Sequence, residues 1–133
     1  MFRVRMRMVF PRQGGNVVIK RIVSPPYNSY DLSTLIIYND TVYIGHFGEA
    51  GDSAAEQLAH TLETLRSELQ KINLRLDNVL KLTVMLKNIE DFNSIHEVWV
   101  KYFTKGNYPV RTIITTDFIN KNCLVQIEGV AGY

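Results

Sequence analysis

The sequence predicts an α+β fold in which a mainly antiparallel sheet of about six strands carries two helices on one face. Three observations lead there. Six segments are rich in β-branched and aromatic residues or alternate apolar with polar ones, whereas only two repeat their apolar residues at steps of three and four. Asn39-Asp40 separates two strand segments by the spacing of a tight hairpin. The strands also offer apolar side chains on both faces, more than two helices can cover, so a partner subunit is expected over the rest.

The elements follow in order. "VVIKRIV", residues 17 to 23, reads as a strand that stops at the prolines of "SPPYN". "TLIIY" and "TVYIGHF" flank Asn39-Asp40, two residue types that tolerate positive φ. Along them Leu35 and Ile37 oppose Ile36 and Tyr38, and Val42 and Ile44 oppose Tyr43 and Phe47. Ser53 followed by Glu56 makes the reciprocal cap of a helix start. Leu58, Leu62, Leu65, Leu69 and Ile72 then form a packing stripe, leaving Glu63, Arg66, Glu68 and Lys71 for water. "LKLTVMLK" sets Leu80, Leu82, Val84 and Leu86 against Lys81, Thr83, Met85 and Lys87, the alternation of a strand. Phe92, Ile95, Trp99, Tyr102 and Phe103 return to helical spacing, and Gly106 predicts the helix end. Two last strands, about 109 to 116 and 123 to 130, are joined by the polar "DFINKN".

The 133 residues suit one domain, with no repeat, low-complexity segment or linker. Lys+Arg 15 against Asp+Glu 13 leaves a charge of +2, too slight to make nucleic acid the main partner, and no basic surface interleaved with aromatics is evident. In "MFRVRMRMVF" a strand would line up Arg3, Arg5 and Arg7. A solvated edge or extended tail is the plain reading, and contact with an acidic partner is the other. A single cysteine, Cys123, excludes an internal disulfide, and no apolar run resembles a membrane span or secretory signal, which points to the cytoplasm. His46, His60 and His96 show no metal-ligand spacing with Cys123, so no metal is expected.

"YPVRTIITTDF", residues 108 to 118, sets one arginine in an otherwise apolar strand. Alternation puts Arg111 on a face with Ile113 and Thr115, opposite Val110, Thr112 and Ile114. An unpaired guanidinium among apolar groups is costly, so Arg111 needs either a carboxylate in the chain, most obviously Glu128, or an anionic ligand.

The carboxy-terminal order, "YPVRT", a spacer and "LVQIEGVA", resembles the Rid family of imine/enamine deaminases, the YjgF-type proteins. The resemblance extends through "VYIGH", "LETLRSEL" and "VLKLTVMLKNIEDF" and spans about residues 20 to 131, leaving the first 18 or so as an extra strand or tail. It implies a chorismate-mutase-like fold and a homotrimer with clefts at the subunit interfaces. It also implies hydrolysis of 2-imino acids, or their enamine tautomers, to 2-keto acids and ammonia with no cofactor. The family arginine maps onto Arg111, whose planar fork suits a substrate carboxylate.

The match is divergent around the reacting carbon. The family's last-strand carboxylate aligns with Gln126, which can orient a water but not take its proton. Glu128 projects from the same strand face about 7 Å further on and is a second water-side group, or else the partner of Arg111. The family serine aligns with Gly45, followed by His46. The helix-two asparagine aligns with His96, either a hydrogen-bonded packing residue or the best proton carrier present. The family's cysteine two after the arginine is Ile113, so Cys123 reads as a small buried residue. The loop tyrosine corresponds to Tyr30, with Tyr27 the alternative. Two functions follow: a deaminase with Arg111 clamping the carboxylate, or a non-catalytic trimeric binding protein or sensor for small 2-keto acids. An RNA-directed role finds little support in a near-neutral chain.

Overall fold

A computed structural model describes residues 18–133. The Arg3, Arg5 and Arg7 segment lies outside the described residues. The strands are β1 (Ile19–Ile22), β2 (Leu35–Tyr38), β3 (Thr41–Phe47), β4 (Val79–Leu86), β5 (Val110–Thr115) and β6 (Val125–Gly132), and the helices are α1 (Ala54–Gln70) and α2 (Phe92–Tyr102). They build one six-stranded sheet of order β1-β2-β3-β6-β4-β5, the α+β architecture expected. All pairs are antiparallel except β4 with β5. That exception follows from connectivity, because α2 runs between β4 and β5 and returns the chain in the same direction.

Both helices pack on one face. Leu58, Leu62, Leu65 and Leu69 of α1 are wholly buried against Val42, Leu82, Val84, Leu86, Val125 and Ile127 of the sheet's inner face. The start of α1 is capped as the sequence suggests, with Ser53 Oγ accepting from the Glu56 N–H at 3.1 Å. Glu56 in return accepts from the N–H of Asp52, one residue before the expected partner. Gln57 ties this helix start to the approach of β6: its amide donates to the carbonyls of Gly51 and Asn122, and its oxygen accepts from Leu124 N–H.

Two bulges alter the expected alternation. Between Ile44 and Phe47 β3 carries one residue more than β6, pairing Ile44 with Gly129 and Phe47 with Ile127. Phe47 therefore joins Val42 and Ile44 on the inner face and is fully buried, rather than opposing them. Likewise Val79 pairs with Ala131 and Lys81 with Val130, so Leu80 is the extra residue and is 56% exposed, with Val79 taking the inner position. Three smaller differences accompany these. Glu68 is buried, accepting from Ser24 Oγ at 2.9 Å and from Lys71 Nζ at 2.8 Å, instead of facing water. Of the hairpin residues only Asn39 has positive φ, 55°. Helix α2 stops at Tyr102, and Gly106, at φ 90°, belongs to the turn after it.

Candidate functional site

The outer strand β5 carries Arg111 opposite Leu82 of β4, whose side chain is buried under the helices, so Arg111 points to the helical side. There it meets α2. Phe92, His96 and Trp99 are spaced four and three apart and share one stripe of that helix. The Arg111 guanidinium lies 4.8 Å from the Trp99 ring centre and 5.7 Å from that of Phe92, within cation–π range of both. Its Nη1 donates to His96 Nδ1 at 3.1 Å. The His96 ring is itself stacked on Phe92, 10° from parallel. Burial draws the Arg111 pKa below the usual arginine value, as desolvation of a cation must, without removing its charge at physiological pH.

No carboxylate pairs with this guanidinium. The ion pairs among the described residues join His60 to Glu56, Arg66 to Glu63 and Lys71 to Glu68, and residues 1–17 contain no Asp or Glu. Glu128 is paired with Thr83, the β4 residue next to Leu82, and so stands on the other face of the sheet. The Arg111–Glu128 pair considered from sequence is therefore ruled out within one chain.

Gln126 and Glu128 both face the uncovered side of the sheet, Gln126 beside Met85. Gln126 also backs onto Gly48, where an added Cβ would come within 3.0 Å of its Cγ. On the same stretch His46 is exposed, and Tyr27 approaches it edge-on at 6.1 Å. Tyr27 is buried, packs on Phe47 and donates its hydroxyl to the His46 carbonyl at 3.0 Å. Burial, then the nearby Glu49 and Glu68, push this phenol far above the usual tyrosine range. Tyr27 thus braces the bulge, whereas Tyr30, at the far end of the same short helical turn, is 67% exposed. A Cβ at Gly45 would meet the Ser33 and Thr34 carbonyls only at ordinary contact distance, so space alone does not require glycine there.

Of the candidate residues, the chain thus brings together Arg111 and His96. No hydrogen bond, ion pair or ring contact joins Tyr30, Gly45, His46, Gln126 or Glu128 to Arg111. Cys123 is half-buried with its Sγ 3.5 Å from the Val125 carbonyl, and burial pushes its thiol up, away from nucleophilic character. The residues missed from sequence are Phe92 and Trp99, whose rings wall the guanidinium. Their spacing around His96 was visible, but it is also the spacing of ordinary packing. Among the described residues no group of His, Cys, Asp and Glu is disposed to hold a metal, and no helix is long and apolar enough to cross a membrane.

Residues 23–133 match the family described as Endoribonuclease L-PSP. The 2-iminobutanoate/2-iminopropanoate deaminase of Homo sapiens is 30% identical over 125 residues, covering 86% of this chain and 90% of that protein. Among solved structures, a YjgF family member from Neisseria meningitidis superposes with a TM-score of 0.80 at 21% identity, over 87% of this chain and 95% of its own. A member of the YjgF/YER057c/UK114 family from Mycobacterium tuberculosis gives 0.81 at 19% identity, over 87% of this chain and all of its own.

Proposed function

This chain belongs to the Endoribonuclease L-PSP family, the YjgF-type proteins, and we propose that it hydrolyses 2-imino acids or their enamine tautomers to 2-keto acids and ammonia. The observation that carries this reading is a charged guanidinium backed by two aromatic rings and left without a carboxylate. A permanent cation so held is a receptor for a planar anion, and the 2-imino acid supplies one next to the carbon that reacts. Water adds to the C=N carbon, both of its protons pass in turn to the nitrogen, and ammonia leaves as the carbonyl forms. No cofactor enters the balance. Gln126, which cannot act as a base, orients that water, with Glu128 as the other group on its side.

The assembly proposed is a homotrimer with clefts between subunits. Arg111 and the Gln126–Glu128 pair occupy opposite faces of one sheet, so a single chain cannot close both around one small molecule. A neighbour's open face, bringing Tyr30, Gly45, His46 and Gln126, would complete the cleft begun by Arg111 and His96. That face has reason to be covered. Tyr43, Val110 and Ile114 are 50%, 66% and 45% exposed on it, beside the partly exposed Ile36, Met85 and Val130.

The test follows semicarbazone formation while an amino-acid oxidase generates 2-imino acids, with wild type and Arg111→Ala compared. Wild type is expected to accelerate imine loss, and Arg111→Ala to lose at least about thirtyfold, since truncating one partner of a close charge pair costs about 2 kcal/mol or more. No acceleration by wild type, with a 2-keto acid still raising its Tm through Arg111, would replace the deaminase by the binding-protein reading.

A further inference from the structure

We infer that His96 acts through Arg111 as a positioning residue, locked by it in the neutral tautomer with the proton on Nε2. Arginine has five N–H donors and no acceptor. The 3.1 Å contact from Nη1 can therefore be a hydrogen bond only if His96 Nδ1 presents its lone pair. A neutral imidazole with Nδ1 as acceptor carries its proton on Nε2. An imidazolium has no lone pair at Nδ1 and would set two cations 3.1 Å apart.

Two consequences follow for the site. The guanidinium is steered by three groups: the Trp99 and Phe92 rings lie within cation–π range and His96 takes Nη1. Rotation about the long side chain is restrained before a ligand arrives, which reduces the ordering left to be done on binding. Second, while it holds Arg111, His96 has no free basic nitrogen. It cannot deprotonate the attacking water, and its remaining polar edge, Nε2–H, only donates. Within the proposed reaction such a donor suits a ligand with an acceptor near its carboxylate, a neutral imine or a carbonyl, over a 2-ammonium acid. This last preference rests on the carboxylate-site reading. The tautomer does not.

The ring rests on Phe92, and no ion pair among the described residues involves His96 or Arg111. Asparagine is the informative substitution, because its side-chain oxygen occupies the position of Nδ1 and accepts without titrating.

The experiment pairs long-range imidazole proton–nitrogen NMR of the free protein at mildly alkaline pH with 2-ketobutyrate titrations of wild type, His96→Asn and His96→Leu. Expected are a His96 Nδ1 resonance in the unprotonated range with Nε2 protonated, a bias that disappears in Arg111→Met. His96→Asn should bind within about threefold of wild type and His96→Leu about tenfold more weakly, the loss of one charge-assisted hydrogen bond. A proton on Nδ1 in the free protein, or His96→Asn binding as weakly as His96→Leu, would overturn the inference. If 2-ketobutyrate binds to none of the three, the carboxylate site itself fails and the NMR tautomer alone decides whether His96 is held as inferred.

Discussion

Arg111 and Glu128 lie against neighbouring residues of β4, Leu82 and Thr83, yet face opposite sides of the sheet. Around Arg111 the chain is finished: two rings and one imidazole acceptor stand against the cation. Around Glu128 it is unfinished, with Tyr43, Val130 and Met85 on a face that no helix among the described residues covers. The lesson is that proximity in register is not proximity in space, because one step along a strand reverses direction. Charge complementarity between the two residues is real in the sequence and unavailable within one chain.

The contrast can be broken first at Gly129, which follows Glu128 on β6 and stands on the covered face opposite Leu82. A Cβ there would collide with the Lys81 carbonyl, which is backbone and cannot turn aside. Gly129→Ala is expected to cost more than about 3 kcal/mol in denaturant unfolding, or to prevent folding. A variant of ordinary stability would mean that β4 and β6 are spaced otherwise, and the assignment of faces would go with it. Next, Ile127→Ala on the covered face should lose about 2–5 kcal/mol with an unchanged denaturant slope, because the cavity opens in a closed core. Tyr43→Asp on the open face should leave circular dichroism intact but lower the mass seen by sedimentation. A mass equal to wild type would show that this face is not an interface. Smallest is Glu128→Gln, expected to shift 2-ketobutyrate affinity less than about twofold, as for a surface charge that pairs with nothing in the site. If turnover falls while affinity holds, Glu128 rather than Gln126 faces the water.

The sequence was most legible where a single local rule decides. Asn39-Asp40 between β-branched runs, Ser53 before its stripe of leucines, and the apolar repeat of α2 each announce an element in their own few residues. The face of Arg111 was legible too, since β5 has no bulge. Legibility failed at Phe47 and Leu80, where the partner strand is shorter by one residue and nothing in either strand alone says so. It failed at Glu68, whose burial depends on Ser24 arriving from a loop 44 residues away. At the site, the arginine was visible as an anomaly and His96 as a candidate. The hydrogen bond between them was not, because it joins a helix to an outer strand through tertiary packing.

The bulge in β3 has a further consequence for how this segment can change over time. In a regular strand a residue's side is its parity, odd or even, so position carries one bit of information. The extra residue between Ile44 and Phe47 inverts that bit for everything after it. Losing or gaining one residue there would therefore not merely shorten or lengthen a strand. It would exchange Phe47 for a neighbour in the interior and re-aim His46 and Gly48 together, so a single-codon deletion at this point acts as a sign change on the chemistry of one rim of the sheet.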